Sequence, residues 1–306
     1  MTSHRTSVVR ERLKQLGQRS LPAFFGLLLF DWTIIIGAFL VAAHLDHPVV
    51  YVLSWFVLGT RQHALGVLGH EGTHGLIHKS KRINRGLARV FCFWPIFMPY
   101  EGYSPWHIDH HRYLGTEKDT ENLVKSGDRF VLPARFYRLV LTFFGDLFGL
   151  GIRSMILQMS VIQPATFRGV AKVYAGPLVS WAVAIAYFVS AGLAWIPILW
   201  FAALPTSFWA VFRVREYFEH TGIDGTYRYH LGPVARFCFC PNYIWVHYEH
   251  HKWPFIPCYH LLEARKLDDS VPVLTIRQLI RQMENPRRPA AMAAGSMTSH
   301  RKLDER

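Results

Sequence analysis

Two stretches of this chain carry histidines at i, i+3 and i+4: His107-Ile108-Asp109-His110-His111 and His247-Tyr248-Glu249-His250-His251. On a helix those offsets share one face, a turn apart. Neutral imidazole is also the commonest metal ligand. A third stretch, His70-Glu71-Gly72-Thr73-His74, supplies a pair. Together the three boxes hold eight of the chain's 17 histidines. One zinc ion needs only three or four ligands, so this many converging rings is enough for two metal ions. The spacing does not choose the metal, because imidazole suits iron, copper, zinc and nickel alike. Any fold for this sequence has to bring three distant segments to one place.

The rest of the sequence reads as an all-α membrane scaffold for those boxes. Of the 306 residues, 51% are hydrophobic, and the charges fall between long apolar runs. A bilayer core takes about 20 helical residues. Leu21–Ala43 supplies them with one charge, Asp31, and a second run from Pro48 reaches about Leu68. Val173–Leu193 and Trp195–Val214 supply two more. The turns at 44–48 and 192–197 lack Lys and Arg, whereas both tails and the central segment are rich in them. Four spans with both termini in the cytoplasm satisfy the positive-inside rule. His70 then emerges at the cytoplasmic face, and all three boxes lie on that side, with the helix after His74 continuing towards His78.

Residues 87–100 are apolar but broken by Pro95 and Pro99, which predicts an interfacial or re-entrant piece. Residues 129–160 mix apolar positions with Arg135, Arg138, Asp146 and Arg153, as suits helices lying along the interface. The expected domains are a basic cytoplasmic tail over 1–20, a membrane domain over 21–283 and a disordered tail over 284–306. Met-Thr-Ser-His-Arg opens the chain and recurs at 297–301; nothing physical accounts for the repeat. The net charge of +13 flanks apolar spans. It therefore points to an anionic membrane surface or an acidic protein partner, not to nucleic acid. The four cysteines form no C-x-x-C pair and read as free thiols on a reducing side. The first apolar run lacks a small-residue cleavage site, so no cleavable signal peptide is expected. Asp31 and Arg61 are costly inside spans. They lie at similar depth and are expected to pair.

The three boxes in this order resemble those of the membrane fatty-acid desaturase superfamily, the histidine-box di-iron oxygenases. The third box continues Lys252-Trp253-Pro254-Phe255-Ile256-Pro257, similar to that family's H-x-E-H-H-x-x-P-x-x-P ending, with Asn242 ahead of it. The resemblance covers about residues 20–265. It implies two iron ions held by His70, His74, His107, His110, His111, His220, His247, His250 and His251. His220, in Glu216-Tyr217-Phe218-Glu219-His220, fits the family's extra histidine between the last span and the third box. It also implies O2 as co-substrate and removal of hydrogen from an unactivated C–H bond of a lipid or acyl chain. Asp109, Asp119, Glu219 and Glu249 are candidates to orient ligand rings. Trp94, Phe97 and Trp106 are candidates to line an acyl tunnel.

His63 and His78 share a helical face with the first box and are left out of the ligand set. No fused electron carrier is visible: there is neither an H-P-G-G motif nor a ferredoxin-type cysteine cluster. A separate ferredoxin or cytochrome b5 is expected to dock on the basic face. Desaturation, hydroxylation and ketolation share these boxes, with a carotenoid or small natural product as alternative substrates. Two remoter readings stay open. His70-Glu71-Gly72-Thr73-His74 also matches the H-E-x-x-H zinc protease pattern, with Asp224 as a third ligand. A metal transporter or sensor would use the same rings without turnover.

Overall fold

The computed structural model describes residues 2–121, 135–220, 223 and 225–285. Residues 129–134 of the expected interfacial stretch, Asp224, Met1 and the tail from 286, with the second copy of the five-residue repeat, lie outside the described residues. Among the described residues the protein is helical, and the strand-type pairing is one isolated parallel bridge between Tyr229 and Leu274.

Helix α1 (Thr2–Leu16) forms where only a basic tail was expected, and its Leu16 is buried. Ser20 caps α2 (Leu21–Leu45) by accepting from the Ala23 N–H, and Pro22 sits in the first turn. Asp46 ends α2 in the left-handed region. His47 then caps α3 (Pro48–Thr73), so a two-residue turn joins the pair into a hairpin. α3 stops short of His78. Gly75 takes φ +71°, and the Leu76 N–H closes on the Glu71 carbonyl at 2.9 Å, a glycine-dependent helix end.

α4 (Lys81–Leu87) runs into a π-helical turn, Ala88–Phe93, and a 3₁₀ turn, Trp94–Ile96. α5 (Tyr100–Tyr113) carries the second box. α6 (Phe136–Leu147) and α7 (Ile152–Val161) meet at a bend of 88°. α8 (Phe167–Ser190) follows. α9 (Trp195–Ala203) continues through a second π-helical turn, Leu204–Phe208, into α10 (Trp209–His220). Pro205 lies in that turn; proline has no N–H to give an α-helix interior, and a widened turn accommodates it. Short helices α11 (Pro233–Phe239), α12 (His247–Lys252) and α13 (Leu261–Arg265) lead to α14 (Ile276–Glu284), which opens on a Thr275–Gln278 capping box.

By length and composition, three helical runs are able to cross a membrane: Leu21–Leu45, Phe167–Ser190 and Trp195–His220. The bent pair α6–α7 makes a fourth if it counts as one broken span or re-entrant loop. α3 is as long as these runs but less apolar, because it faces protein. Every residue from Leu58 to Leu65 is buried. Such a helix can carry polar groups that find partners inside the protein. Gln62 donates to the Trp200 carbonyl at 2.8 Å. Arg61 pairs with Asp31 at 2.8 Å, as the matched depths led us to expect. Asn242, just before the third box, donates to the other Asp31 oxygen at 2.7 Å, and Arg61 donates to the Phe237 carbonyl. One buried network thus ties the first hairpin to the approach to the third box.

Both π-helical turns press on α3. A Cβ at Gly59 would collide with Ser207 and the Phe208 backbone, and one at Gly69 with the Phe93 ring. Trp94 lies on Gly176 of α8, and Phe97 packs near Tyr174 and Phe201, so these two serve helix packing. In contrast, α8 buries only Val173 and Pro177, and exposes Leu178, Val179 and Val183. Large contiguous apolar exposure marks a surface that meets lipid or a partner.

Candidate metal centre

The site assembles at the end of α3 and from α5, α10 and α12. His70 lies in the last turn of α3, and His74 is its C-terminal cap. α5 presents His107 and His111 one turn apart, with His110 beside them. α10 ends on His220. The six residues of α12 hold His247, His250 and His251.

These side chains converge in one five-ring group and two triads that overlap at His220. His70, His74, His107, His111 and His250 form the first. The second joins His110, His220 and His251, and His220 is shared with His247 and Glu219. The structure therefore brings all nine expected rings together. In the first group, His107 Nε2 lies 2.7 Å from His70 Nε2 and 3.0 Å from the Nε2 atoms of His74 and His111. His250 Nε2 lies 2.9 Å from His111 Nε2. In the second, His220 Nε2 lies 2.8 Å from His247 Nε2 and 3.3 Å from His110 Nε2, and His251 Nε2 is 3.1 Å from His247 Nε2. The His111 and His251 rings stack at 4.1 Å where the groups meet.

Hydrogen bonding between rings does not account for this pattern. His110 Nδ1 bonds Asp119 Oδ1 at 2.7 Å, and His220 Nδ1–H donates to the Gly225 carbonyl at 2.9 Å. A neutral imidazole has one N–H, so both Nε2 atoms are left with lone pairs that face each other. A shared cation resolves that conflict. Metal–nitrogen bonds of about 2.0–2.1 Å place two donors on one ion about 3 Å apart, the separation seen here. The residues present therefore fit a pair of metal ions.

Burial first, and neighbouring rings second, hold His107, His250 and His251 well below the usual histidine range. His111 is pushed down to about 2 by burial and then by His74, His110 and His220. A lowered pKa favours the neutral form of these four rings, the form that metal binding requires.

The four candidate orienting carboxylates divide. Asp119 serves His110 as above, and Glu219 Oε1 lies 3.5 Å from His247 Nδ1 while also pairing with Arg215. Asp109 instead faces outward to Arg112 at 2.9 Å. Glu249 turns to the back of α12, where Arg265 grips both its oxygens at 2.8 and 2.9 Å and Arg228 bonds it too. Six residues are too few to hold a helix by themselves, and this buried clamp fixes the third box from behind. Nothing local in the sequence marks Arg228 or Arg265 as its partners. Glu121 was also missed; it lies 3.4 Å from His110 Nε2.

His63 and His78 stand apart from the cluster. His63 is buried near Phe208 and Phe212, and His78 Nδ1 accepts from Ser80 N–H at 2.9 Å. Glu71, the would-be base of a zinc protease, is buried and accepts from the Cys258 N–H at 2.9 Å. The four cysteines are free. Trp106 lies beside Tyr103, the ring that stacks on His107.

Comparison with known proteins agrees with this geometry. The family model "Fatty acid desaturase" matches residues 46–273. A Synechocystis sn-1 acyl-lipid omega-3 desaturase (ferredoxin) is 31% identical over 126 residues, 41% of this chain and 34% of the relative. The chloroplastic temperature-sensitive sn-2 acyl-lipid omega-3 desaturase (ferredoxin) of Arabidopsis thaliana is 26% identical over 276 residues, 80% of this chain and 62% of the relative. A chloroplastic omega-3 fatty acid desaturase of Ricinus communis is 26% identical over 265 residues, covering 78% and 57%. The chain thus spans less than two thirds of the length of these curated relatives. With most of its length matched by the family model and its boxes meeting in space, the chain belongs to the fatty acid desaturase family.

Proposed function

We propose that this protein is an integral-membrane di-iron oxidase that desaturates a fatty acyl chain or related lipid, using O2 and electrons from a separate protein. The observation that carries the reading is the convergence of nine imidazoles, from segments far apart in sequence, into two adjoining groups. When bound, a pair of irons supplies the O2-derived oxidant that takes hydrogen from an unactivated C–H bond. The chain does the rest. Asp119 and the Gly225 carbonyl fix His110 and His220 through Nδ1, so that Nε2 points inward. The Arg228–Glu249–Arg265 clamp holds three rings on a helix of six residues. Burial of the rings keeps water from the reacting carbon.

Four spans, with α3 as the second, and both termini in the cytoplasm remain the topology best supported by the charge pattern. The site then lies at the cytoplasmic surface, where an acyl chain can enter from the bilayer. The net charge of +13 favours an acidic donor. Ferredoxin in the names of two relatives supports that kind of donor over cytochrome b5. Turnover should then fall as salt screens the encounter; insensitivity to ionic strength would remove the docking idea. Expression in a lipid-rich host, followed by mass spectrometry of total lipids, tests the reaction itself. Desaturation predicts products lighter by a hydrogen pair. Products heavier by an oxygen atom would assign hydroxylation or ketolation. Lipids that do not change, from a protein shown to hold two irons and supplied with reductant, would reject an acyl substrate.

A further inference from the structure

The two metal groups are not equivalent. The first has five imidazoles whose donor atoms meet; the second is two triads that share His220, one with His110 and His251 and one with His247 and Glu219, linked by the 3.1 Å approach of His251 Nε2 to His247 Nε2. Glu121 stands beside the shorter set. Its Oε1 lies 3.4 Å from His110 Nε2, and its Oε2 lies 4.0 Å from His220 Nε2. The residue is 8% exposed.

The side of the rings on which the carboxylate lies is decisive. An orienting carboxylate, such as Asp119 on His110, meets Nδ1 and turns the ring. Glu121 instead meets the Nε2 edge, where the lone pairs point. Nδ1 of each ring already meets Asp119 or the Gly225 carbonyl, so a metal ion would meet both rings at Nε2, the edge that Glu121 faces.

The position of Glu121 is also built. Its N–H donates to Asp119 Oδ1 at 3.0 Å, Gly115 N–H donates to Asp119 Oδ2 at 3.2 Å, and Thr120 Oγ1 donates to the Trp106 carbonyl at 2.8 Å. The turn that orients His110 therefore also sets Glu121. Imidazole with carboxylate is a donor set that suits non-haem iron.

We propose that Glu121 is a protein ligand of the second metal ion, so that one ion is bound by imidazoles alone and the other by imidazoles and a carboxylate. The inference rests on the di-iron reading. An anionic donor neutralises part of the charge on its ion, so the second iron would be the more easily oxidised.

The test uses the full chain in nanodiscs, loaded with Mössbauer-active iron, as wild type, Glu121→Gln, Glu121→Ala and Glu121→His. The readouts are iron per folded chain and the Mössbauer spectrum. Wild type should hold a pair of irons that give two unlike doublets. Glu121→Gln and Glu121→Ala should weaken one iron by on the order of 10- to 100-fold or more and leave the other doublet in place. Glu121→His should restore the pair, with the two doublets more alike. A pair of irons with unchanged doublets in Glu121→Gln and Glu121→Ala would overturn the assignment. So would a single doublet shared by both irons of the wild type, a result that needs no variant to fold. A folded wild type that takes up fewer than two irons would reject the di-iron reading itself, a separate failure.

Discussion

The five-ring half of the metal centre and the four-ring half solve one problem with different materials. His70, His74, His107, His111 and His250 are neighbours chiefly of one another, on α3, α5 and α12. His110, His220, His247 and His251 sit among carboxylates: Asp119 on one Nδ1, Glu219 near another, and Glu121 at the inner edge. Neutral donors leave an ion its full charge, and nearby carboxylates offset it. If two ions bind as proposed, the contrast gives them unequal surroundings within one cluster of like side chains. Only α5 and α12 give rings to both halves.

The sharpest way to break the contrast is to delete a ring from each half. His107 is the hub of the first, so His107→Ala should empty that half and bring lipid oxidation to background. His251→Ala should empty the second half and leave the first loaded. Metal analysis of the folded proteins checks both, and equal loss of both metals from either variant would show one indivisible cluster.

Glu249→Gln should come next. It leaves the buried Arg228 without its closest anion and the half-buried Arg265 without its own, and breaking a buried pair costs about 3–5 kcal/mol. Because α12 serves both halves, metal should be lost from both together. Thermal unfolding in detergent and metal content read the two effects. The exposed Asp109–Arg112 pair is the control, since Asp109→Asn should cost no more than about 1 kcal/mol.

A smaller and one-sided effect is expected for Asp119→Asn. The loss of the anionic acceptor on His110 should weaken the second metal by about 10- to 100-fold and leave the first alone. Metal titration of the apoprotein would show it. Smallest of all, His78→Ala should change neither metal, because that ring only receives a backbone N–H. A loss of metal there would extend the first half beyond its five rings.

Much of this was legible in the chain. The i, i+3, i+4 spacing predicted rings on one face of α5, and it held on α12 despite that helix's brevity. Two charges at matched depth predicted the Asp31–Arg61 pair. The apolar runs located three helices long and apolar enough to span to within a few residues, apart from the start of α8 and the end of α10. What escaped notice depends on contacts between distant segments. Glu249 looked like a carboxylate for a neighbouring ring, yet its partners lie 21 and 16 residues away, and no periodicity joins them. Arg61 also reaches the Phe237 carbonyl, 176 residues on. The end of α3 was overestimated because Gly75 takes a left-handed backbone, which stops the helix and which the apolar pattern does not show. The π-helical turns leave no mark in hydropathy. They become intelligible only beside the glycines of α3 that receive them.

The placement of α12 late in the chain has a consequence for synthesis. His250 completes the five-ring half, and His247 and His251 complete the other. A polypeptide still on the ribosome, with the first hairpin and α5 already made, holds four of the five rings of the first half and only His110 of the second. On the proposed function, the full donor set for either ion, and with it the oxidation chemistry, would wait until nearly all of the fold has been translated. Unfinished chains would neither sequester iron in full nor burn the bilayer that receives them.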